Sequence, residues 1–307
     1  GVFSDREPKN SRIESMFRLI ARLRPLARNG YRPAAAEKGH GLQDREAVLR
    51  DLALSQGAAD FSMTASDPAF FYSVRGRGER YGRRVDEILP TTIIMAFEMD
   101  KEMTAAAPSI TETVEVARVY LQAAVCALAI REFIAELGWR AVAHIDGESE
   151  LVMPPAAAAA GIGAIGRHGL IVHPKFGSRV RFSAVTTDLP LNSTAASIPN
   201  RSRFSVAEYC ESCGACAEFC PKGSIPAGPA NRSGPRLWQV HHESCYEGWK
   251  EFGSDCGVCL AVCPFSGIGK ESGTDGKTGD KTSGPESREP GSPGFLKQFM
   301  YGERTKE

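Results

Sequence analysis

Eight cysteines lie in two groups with similar spacing in the last third of this 307-residue chain. The first group has the pattern C-x2-C-x2-C-x3-C-P, and the second ends in C-x2-C-x3-C-P with ten residues between its first two cysteines. This arrangement is typical of bacterial ferredoxins, whose thiolates hold [4Fe–4S] clusters. The first cysteine group comprises Cys210, Cys213, Cys216 and Cys220, and the second comprises Cys245, Cys256, Cys259 and Cys263.

The proline after the last cysteine of each group predicts crossed ligation, because it turns that thiolate towards the other cluster. The first cluster would then be held by three cysteines of the first group and one of the second, and the second cluster by the remaining four. The predicted sets are Cys210, Cys213, Cys216 and Cys263 for the first cluster, and Cys220, Cys245, Cys256 and Cys259 for the second.

Two other uses of eight cysteines are disulfide bonds and zinc sites. Disulfides are typical of small secreted chains, and this chain is neither small nor evenly bridged. Two zinc sites would also use eight thiolates, but the two Cys-Pro endings favour iron–sulfur clusters. The ninth cysteine, Cys126, stands alone in an apolar segment that predicts a helix.

The composition bounds the classes of function. Apolar residues make up 42% of the chain, which is enough for a sizeable core. The net charge is zero, so we expect no nucleic-acid partner. We expect neither a spanning helix nor an export signal. The protein is therefore expected to be cytoplasmic, or peripheral at the cytoplasmic membrane if a signal has been removed ahead of Gly1.

Helix-type and strand-type patterns alternate in the part of the chain before the cysteines. A long apolar helix is predicted over 112–138, and strands over 86–100, 139–146, 169–174 and 180–191. Together they predict an α+β fold. Residues 11–34 predict an amphipathic basic helix ending near Pro25, which either packs on its own domain or contacts an anionic membrane surface or a partner.

We divide the chain into four predicted parts. These are an N-terminal extension with the basic helix (1–75), a ligand-binding core (76–200), a ferredoxin-like module (201–265) and a low-complexity tail (266–307). The tail is rich in Gly, Ser and charge, so we expect disorder there.

The segment "GIGAIGRHG" contains G-x-G-x-x-G at Gly161, Gly163 and Gly166. A dinucleotide-binding loop needs a strand before it and a helix after it. Here an alanine-rich stretch precedes the loop and a strand pattern follows, so we reject that interpretation. We expect the glycines to let the backbone approach a large flat ligand, with Arg167 and His168 at that edge.

The segment "AAGIGAIGRHGLIVHPKFGSRVRFSAVTTDLPL" (159–191), followed by the two cysteine groups, resembles the catalytic subunit of cobalamin-dependent reductive dehalogenases. It is similar, more distantly, to epoxyqueuosine reductase, and the resemblance covers about residues 85–265. It implies a nitroreductase-like core that binds a corrinoid (cobalamin) and two [4Fe–4S] clusters that supply it with single electrons. The implied corrinoid-binding residues are Gly161, Gly163, Gly166, Arg167, His168 and Lys175.

The resemblance also implies a reaction, the reductive dehalogenation of an organohalide with electrons from an external donor such as a ferredoxin or a quinol system. Tyr120 matches the position of the proton-donating tyrosine, and Arg179 is the best match for its assisting cation, with Arg181 close behind. The structural alternatives are core packing for Tyr120 and a surface or cofactor contact for Arg179.

Two other functions are considered. For an epoxyqueuosine reductase, Asp146 is present before the glycine loop, but the Glu-Arg pair expected after it is absent and Arg167 replaces a lysine. The helical-repeat extension that grips tRNA in many of those enzymes is missing too. The other alternative is a non-catalytic two-cluster electron-transfer protein, which would bind no corrinoid.

Overall fold

A four-stranded antiparallel sheet organises the chain before the cysteines. Its strands lie in the order β1-β2-β6-β3, and a separate two-stranded hairpin pairs β4 with β5. The strands are β1 (Asp60–Ala65), β2 (Thr91–Glu98), β3 (Ala141–His144), β4 (Ala164–Ile165), β5 (Ile171–Val172) and β6 (Val180–Thr187). The helices are α1 (Ser11–Arg28), α2 (Arg45–Ser55), α3 (Lys101–Ala105), α4 (Ile110–Glu136), α5 (Met153–Ala159), α6 (Val206–Cys213), α7 (Ala215–Glu218), α8 (His242–Phe252) and α9 (Val258–Ala261).

The structure, a computed structural model, describes the greater part of the chain. The described residues are 11–28, 44–76, 80–191, 206–230, 237–253 and 255–268. The predicted low-complexity tail therefore lies outside the described residues, apart from its first three positions.

Helices cover both faces of the sheet. Alternate residues of β2 point to opposite faces, as the period of a strand requires. Ile93, Met95 and Phe97 pack with α4, α2 and α1 in one core cluster, whereas Ile94 and Ala96 pack with α5 in another. This two-sided burial explains why β2 reads as a continuous apolar run.

Helix α4 is the central element of the larger core cluster. Ser109 caps its first turn through the Glu112 N–H, and Gly138, with a φ of +82°, follows its end. It is the one described helix long and apolar enough to cross a membrane, but 61% of its most apolar window is buried inside the fold. We therefore interpret α4 as a core helix.

The predicted α+β class is confirmed by this architecture. The predicted long helix and strands correspond to α4, β2, β3, β5 and β6 with shifted ends. Helix α1 continues past Pro25 to Arg28 and packs against α4. Residues 1–75 were predicted to form an extension, but their described part supplies α1, α2 and the edge strand β1 to the core.

The cysteine module consists of two similar halves. Each half contains the sequence C-G-x-C, at Cys213–Cys216 and at Cys256–Cys259. Gly214 and Gly257 adopt nearly the same left-handed conformation, with φ values of +62° and +61°, and each begins a short helix. Helices α7 and α9 pack together, so the halves face each other.

The module contacts the core closely at Gly177, which precedes β6. A Cβ atom at Gly177 would lie 2.0 Å from the Phe265 carbonyl oxygen, and its φ is +59°. Gly223 has almost the same φ, +58°, but a Cβ there would meet nothing within 4 Å. The two positions therefore differ in packing and share their backbone conformation.

We expect Gly177→Ala to lower the free energy of unfolding by more than Gly223→Ala does. The left-handed conformation costs a residue with a Cβ about 1–2 kcal/mol at either position, and only Gly177→Ala adds a clash with backbone. Anaerobic denaturant titration of both variants, with iron content as a second measurement, tests this. Equal shifts of the two midpoints would contradict the close contact.

Candidate functional site: two thiol sets beside a buried tyrosine

Four of the thiols lie around one small cavity. They belong to Cys210, Cys213, Cys216 and Cys263. Burial raises the pKa of Cys210, and the neighbouring Cys263 and Cys213 raise it further. Burial also raises the pKa of Cys216 to about 12, again with contributions from the other three. A small cavity of about 20 Å³ is lined by all four residues, which we name the first thiol set.

The remaining four cysteines of the two groups form the second thiol set. Burial raises the pKa of Cys245, and Cys220 raises it further. Burial raises the pKa of Cys256 to about 11, with Cys245 and Cys220 adding to the effect. Burial also raises the pKa of Cys259, and Cys256 and Cys245 of this set and Cys216 of the first set add to the effect. The fold thus groups the thiols as the crossed ligation predicts, whereas ligation itself stays a prediction.

The spacing of the thiols suits clusters better than single ions. A tetrahedral zinc site with bonds of about 2.3 Å draws its four ligands tightly around one point. In the described part of the chain, no group of three or more Cys, His, Asp or Glu side chains is placed to hold one metal ion. Raised thiol pKa values also mean that these thiolates need bound cations at neutral pH. The first observation favours iron–sulfur clusters over zinc, whereas the second applies to either metal.

A cavity of about 510 Å³ opens beside the second thiol set. Its lining is mostly apolar, and Leu260, the neighbour of Cys259, forms part of it. The other lining residues come from the 72–76 segment, α4, the 145–154 segment, β5 and the start of β6, and they include Tyr72, Tyr120, Asp146, Leu170, Phe182 and Arg181. Apolar walls with a few polar groups are typical of ligand sites.

Tyr120 and Arg181 form the polar pair in this cavity. The Arg181 Nη1 atom donates a hydrogen bond of 3.3 Å to the Tyr120 hydroxyl oxygen, and the guanidinium carbon lies 5.1 Å from the ring centroid. Arg181 is opposite Phe97 in the sheet register, on the face that α4 covers. Arg181 therefore contacts Tyr120 of α4 because its position on β6 places its side chain on the face that α4 covers.

The tyrosine is held in its protonated form. Arg181 lowers the pKa of Tyr120, but burial, together with Asp146 and Asp255, outweighs that effect and leaves the pKa above its usual value. The phenol therefore keeps its proton at neutral pH and has a cation ready to stabilise the phenolate once the proton has left.

The predicted assisting cation, Arg179, has a different environment. Its Nε atom donates to the Ser266 carbonyl oxygen at 2.8 Å, and its Nη1 atom donates to the Met99 carbonyl oxygen and to Glu98. These bonds attach the cysteine module to the core. The prediction that Arg179 assists Tyr120 is wrong for this structure, in which the neighbouring candidate Arg181 makes the contact.

Two carboxyl groups, one buried and one half-buried, lie near the same arginine. Glu112 is fully buried, and neither of its oxygen atoms has a hydrogen-bond partner. Burial raises its pKa to about 7, Arg181 opposes that shift, and Asp255 adds to it. Burial also raises the pKa of Asp255, which Arg181 again opposes. Arg181 thus connects the tyrosine, two acids and the second thiol set.

We expect the stability of the folded chain to decrease between about pH 4.5 and about pH 7 because of Glu112. Its pKa is raised on folding, so in this window the folded state binds a proton that the unfolded state has lost. The full penalty, up to about 3 kcal/mol, applies above pH 7. The denaturant midpoint of the wild type, measured under anaerobic conditions, should decrease as the pH rises through this window. Glu112→Gln should remove the contribution of Glu112 to this decrease. A variant with an unchanged pH dependence would contradict the assignment.

The glycine loop does not line the 510 Å³ cavity. A Cβ at Gly163 would lie 2.5 Å from the Val172 carbonyl oxygen, and one at Gly166 would lie 3.0 Å from the His168 ring. Gly161 follows α5 with a φ of +75°. These glycines therefore allow the β4–β5 hairpin to pack on itself, which differs from the predicted approach to a flat ligand.

The other three predicted corrinoid-binding residues also lie outside this cavity. Arg167 and His168 point to the first thiol set and line the small cavity there. Lys175 is exposed and lies over the Phe176 ring at 5.0 Å. In the described residues, the segment that follows the loop lines this cavity instead, at Leu170 and Ile171.

Sequence reasoning missed the two acids and underestimated Arg181. Glu112 occupies the third helical position after Ser109, and this S-x-x-E pattern predicts a capping pair at a helix start. No local signal indicates that its carboxyl group packs against Gly257 instead, where a Cβ would lie 2.5 Å from Oε1.

Comparison with known proteins agrees with this geometry. The sequence profile of the 4Fe-4S dicluster domain family matches residues 209–267. The tetrachloroethene reductive dehalogenase of Sulfurospirillum multivorans is 33% identical over 192 residues, which cover 58% of this chain and 37% of that protein. The chain is a homologue of the reductive dehalogenases. A second relative of the same name, from Desulfitobacterium hafniense, is 31% identical over 195 residues, or 58% of this chain and 33% of that protein.

Solved structures of reductive dehalogenases share the fold. A variant of the catabolic reductive dehalogenase NpRdhA superposes with a TM-score of 0.70 at 25% identity, covering 83% of this chain and 36% of that one. The chain spans little more than a third of the length of these reductive dehalogenases. The epoxyqueuosine reductase of Lactococcus garvieae is 30% identical over a shorter stretch of 122 residues, which is 38% of this chain and 32% of that protein.

Proposed function

We propose that this chain is the catalytic part of a corrinoid-dependent reductive dehalogenase. It combines a nitroreductase-like core with a module for two [4Fe–4S] clusters. The first thiol set holds the first cluster, and the second thiol set holds the second cluster. The organohalide and the corrinoid bind at the 510 Å³ cavity, which is too small to enclose the whole corrinoid. When bound, the clusters and the corrinoid supply electrons one at a time and the cobalt centre that reacts with the halide.

One observation carries this proposal, the pairing of Tyr120 with Arg181 in an apolar cavity beside the second thiol set. An electron-transfer protein without catalysis needs no such cavity. A proton donor a short distance from an electron source is what reductive cleavage of a carbon–halogen bond requires.

The overall reaction consumes two electrons and one proton. The carbon–halogen bond breaks, the halogen leaves as halide, and a carbon–hydrogen bond forms. The Tyr120 hydroxyl group donates the proton to carbon, and the Arg181 N–H groups stabilise the phenolate that remains. The apolar walls restrict water, which strengthens the arginine–phenolate attraction.

The substrate is a small organohalide. Relatives are named for tetrachloroethene and trichloroethene, and an NpRdhA structure holds 3-bromo-4-hydroxybenzoic acid. The electrons come from an external low-potential donor such as a ferredoxin or a quinol system. The basic helix α1 packs on α4, and its Arg18 and Arg22 are exposed to a membrane surface or a partner.

Anaerobic reconstitution tests the proposal. The chain is loaded with iron, sulfide and cobalamin, reduced with a low-potential dye, and supplied with trichloroethene or a bromophenol. Halide release that requires both iron and cobalamin is the expected result. A chain that binds about eight irons but retains no cobalamin would favour the electron-transfer alternative. Reduction of an epoxyqueuosine-containing tRNA without halide release would favour the epoxyqueuosine reductase alternative.

A further inference from the structure

Arg167 lies beside the first thiol set, and its charged side chain is buried, with the residue only 2% exposed. Its guanidinium group donates to the Cys210 carbonyl oxygen at 2.7 Å and 3.0 Å, and to the carbonyl oxygens of Pro226 at 2.7 Å and Gly228 at 2.8 Å. It also stacks on Trp238, 4.6 Å from the ring centroid. These acceptors are neutral, so the positive charge of the buried guanidinium is solvated by dipoles of the module itself.

The field of this cation reaches the thiols. Arg167 lines the small cavity together with all four cysteines of the first thiol set. Its positive charge therefore favours negative charge on this sulfur set.

His168, the next residue, acts on the same set through Ser178. The His168 Nδ1 atom accepts a hydrogen bond from the Leu170 N–H at 3.1 Å, so this nitrogen carries no proton. The neutral ring therefore carries its proton on Nε2, which lies 2.8 Å from the Ser178 Oγ atom. Because this Oγ accepts from His168, its own proton points to the Cys263 sulfur at 3.1 Å.

The second thiol set has a different environment. The Cys220 sulfur accepts a backbone hydrogen bond from the Ser224 N–H at 3.2 Å. The cation near Cys259 is Arg181, whose surroundings also contain the carboxyl groups of Glu112 and Asp255. The described residues thus place a cation among neutral dipoles at the first set and a cation among acids at the second.

We propose that Arg167 and the His168–Ser178 pair raise the reduction potential of the first cluster above that of the second. Hydrogen bonds to cluster sulfurs and nearby net charge are levers that set such potentials. Each reduction adds one electron, and hence one negative charge, to the cluster, and a fixed cation stabilises the reduced form. Arg167 and His168 are positioning residues in this role. The inference rests on the proposed function because it requires the first cluster to be bound.

The consequence is a defined order of electron transfer. The first cluster fills first and keeps its electron, and the second cluster, beside the cavity with Tyr120, is the stronger reductant. Once the first cluster is reduced, the next electron from an external one-electron donor would therefore reduce the second cluster, while the first cluster stays reduced.

An anaerobic redox titration followed by electron paramagnetic resonance tests the inference on the full chain with both clusters bound. Ser178→Ala removes the hydroxyl donor to Cys263. Its matched control is Ser266→Ala, which removes a buried hydroxyl group that has no hydrogen-bond partner and lies three residues from the same cysteine. We expect Ser178→Ala to lower the potential of the first cluster and Ser266→Ala to leave it unchanged.

Replacement of the arginine should have the larger effect. We expect Arg167→Met to lower the equilibrium constant for reduction of the first cluster at least tenfold, which is about 59 mV for one electron. Arg167→Lys keeps the charge and should retain most of the potential. If Arg167→Met does not fold, the difference in first-cluster potential between Ser178→Ala and Ser266→Ala tests the inference.

The two failures can be told apart. A wild-type chain without two cluster signals would overturn the proposed function and this inference with it. Two signals in the wild type, with the same potentials in Ser178→Ala and Arg167→Met, would overturn the inference alone. So would a lower potential for the first cluster than for the second.

Discussion

Tyr120→Phe should lower the rate of halide release by about 10²–10⁴-fold, the usual effect of a positioned proton donor. The change removes the hydroxyl group and leaves the ring, which extends from α4 and packs against the larger core cluster. The lost hydrogen bond to Arg181 should cost about 1 kcal/mol of stability. Iron and cobalamin contents should therefore equal those of the wild type.

Tyr72 offers a matched control, because it lines the same cavity but is 49% exposed. Tyr72→Phe should keep the wild-type rate. The single variant Arg181→Gln should lower the rate of halide release about as much as Tyr120→Phe does. Because the two residues act as a unit, the double variant should be only slightly slower than either single variant. A fully active Tyr120→Phe enzyme with its cofactors bound would show that the proton comes from another group.

The second large effect concerns Cys263, which belongs to the second cysteine group in sequence and to the first thiol set in space. Cys263→Ala should lower the iron content from about eight to about four atoms per chain. The cluster that remains should be the second one. Cys126 is the control, since it is buried in α4 against Met95, away from both sets, and Cys126→Ala should keep all the iron.

Double variants identify which cluster is lost. Cys263→Ala combined with Cys213→Ala should lose no more iron than either single change, because both would remove the first cluster. Cys263→Ala combined with Cys256→Ala should lose both clusters. If instead the combination with Cys256→Ala retained about four irons, uncrossed ligation would be the correct description.

Local patterns determined much of the fold. The helix pattern of α4 and the apolar run of β2 depend on neighbours in the chain and were predictable with ends in error by a few residues. Strand β1 was missed although its sequence "DFSMTA" alternates polar and apolar residues as a strand does. The segment is short, and it pairs with β2 along its whole length. The glycine pattern indicated a close approach of the backbone, and in the structure the approaching atoms belong to the β4–β5 hairpin itself.

The sequence by itself determined the chemistry of the cysteine module. Cluster ligation depends on short covalent spacings and on a proline after the last thiol, and the chain contains both. The same holds for the resemblance over 159–191, which the homology to reductive dehalogenases confirms.

Only the tertiary structure decided which arginine meets Tyr120 and what the glycine loop contacts. Arg179 and Arg181 are two residues apart, and such residues share one side of a strand about 7 Å from each other. The packing of α4 on the sheet places Tyr120 at Arg181, while Arg179 precedes the strand and bonds to the cysteine module. Arg167 likewise turns to the thiols because residues 210–228 fold over it, a contact across more than 40 residues of chain.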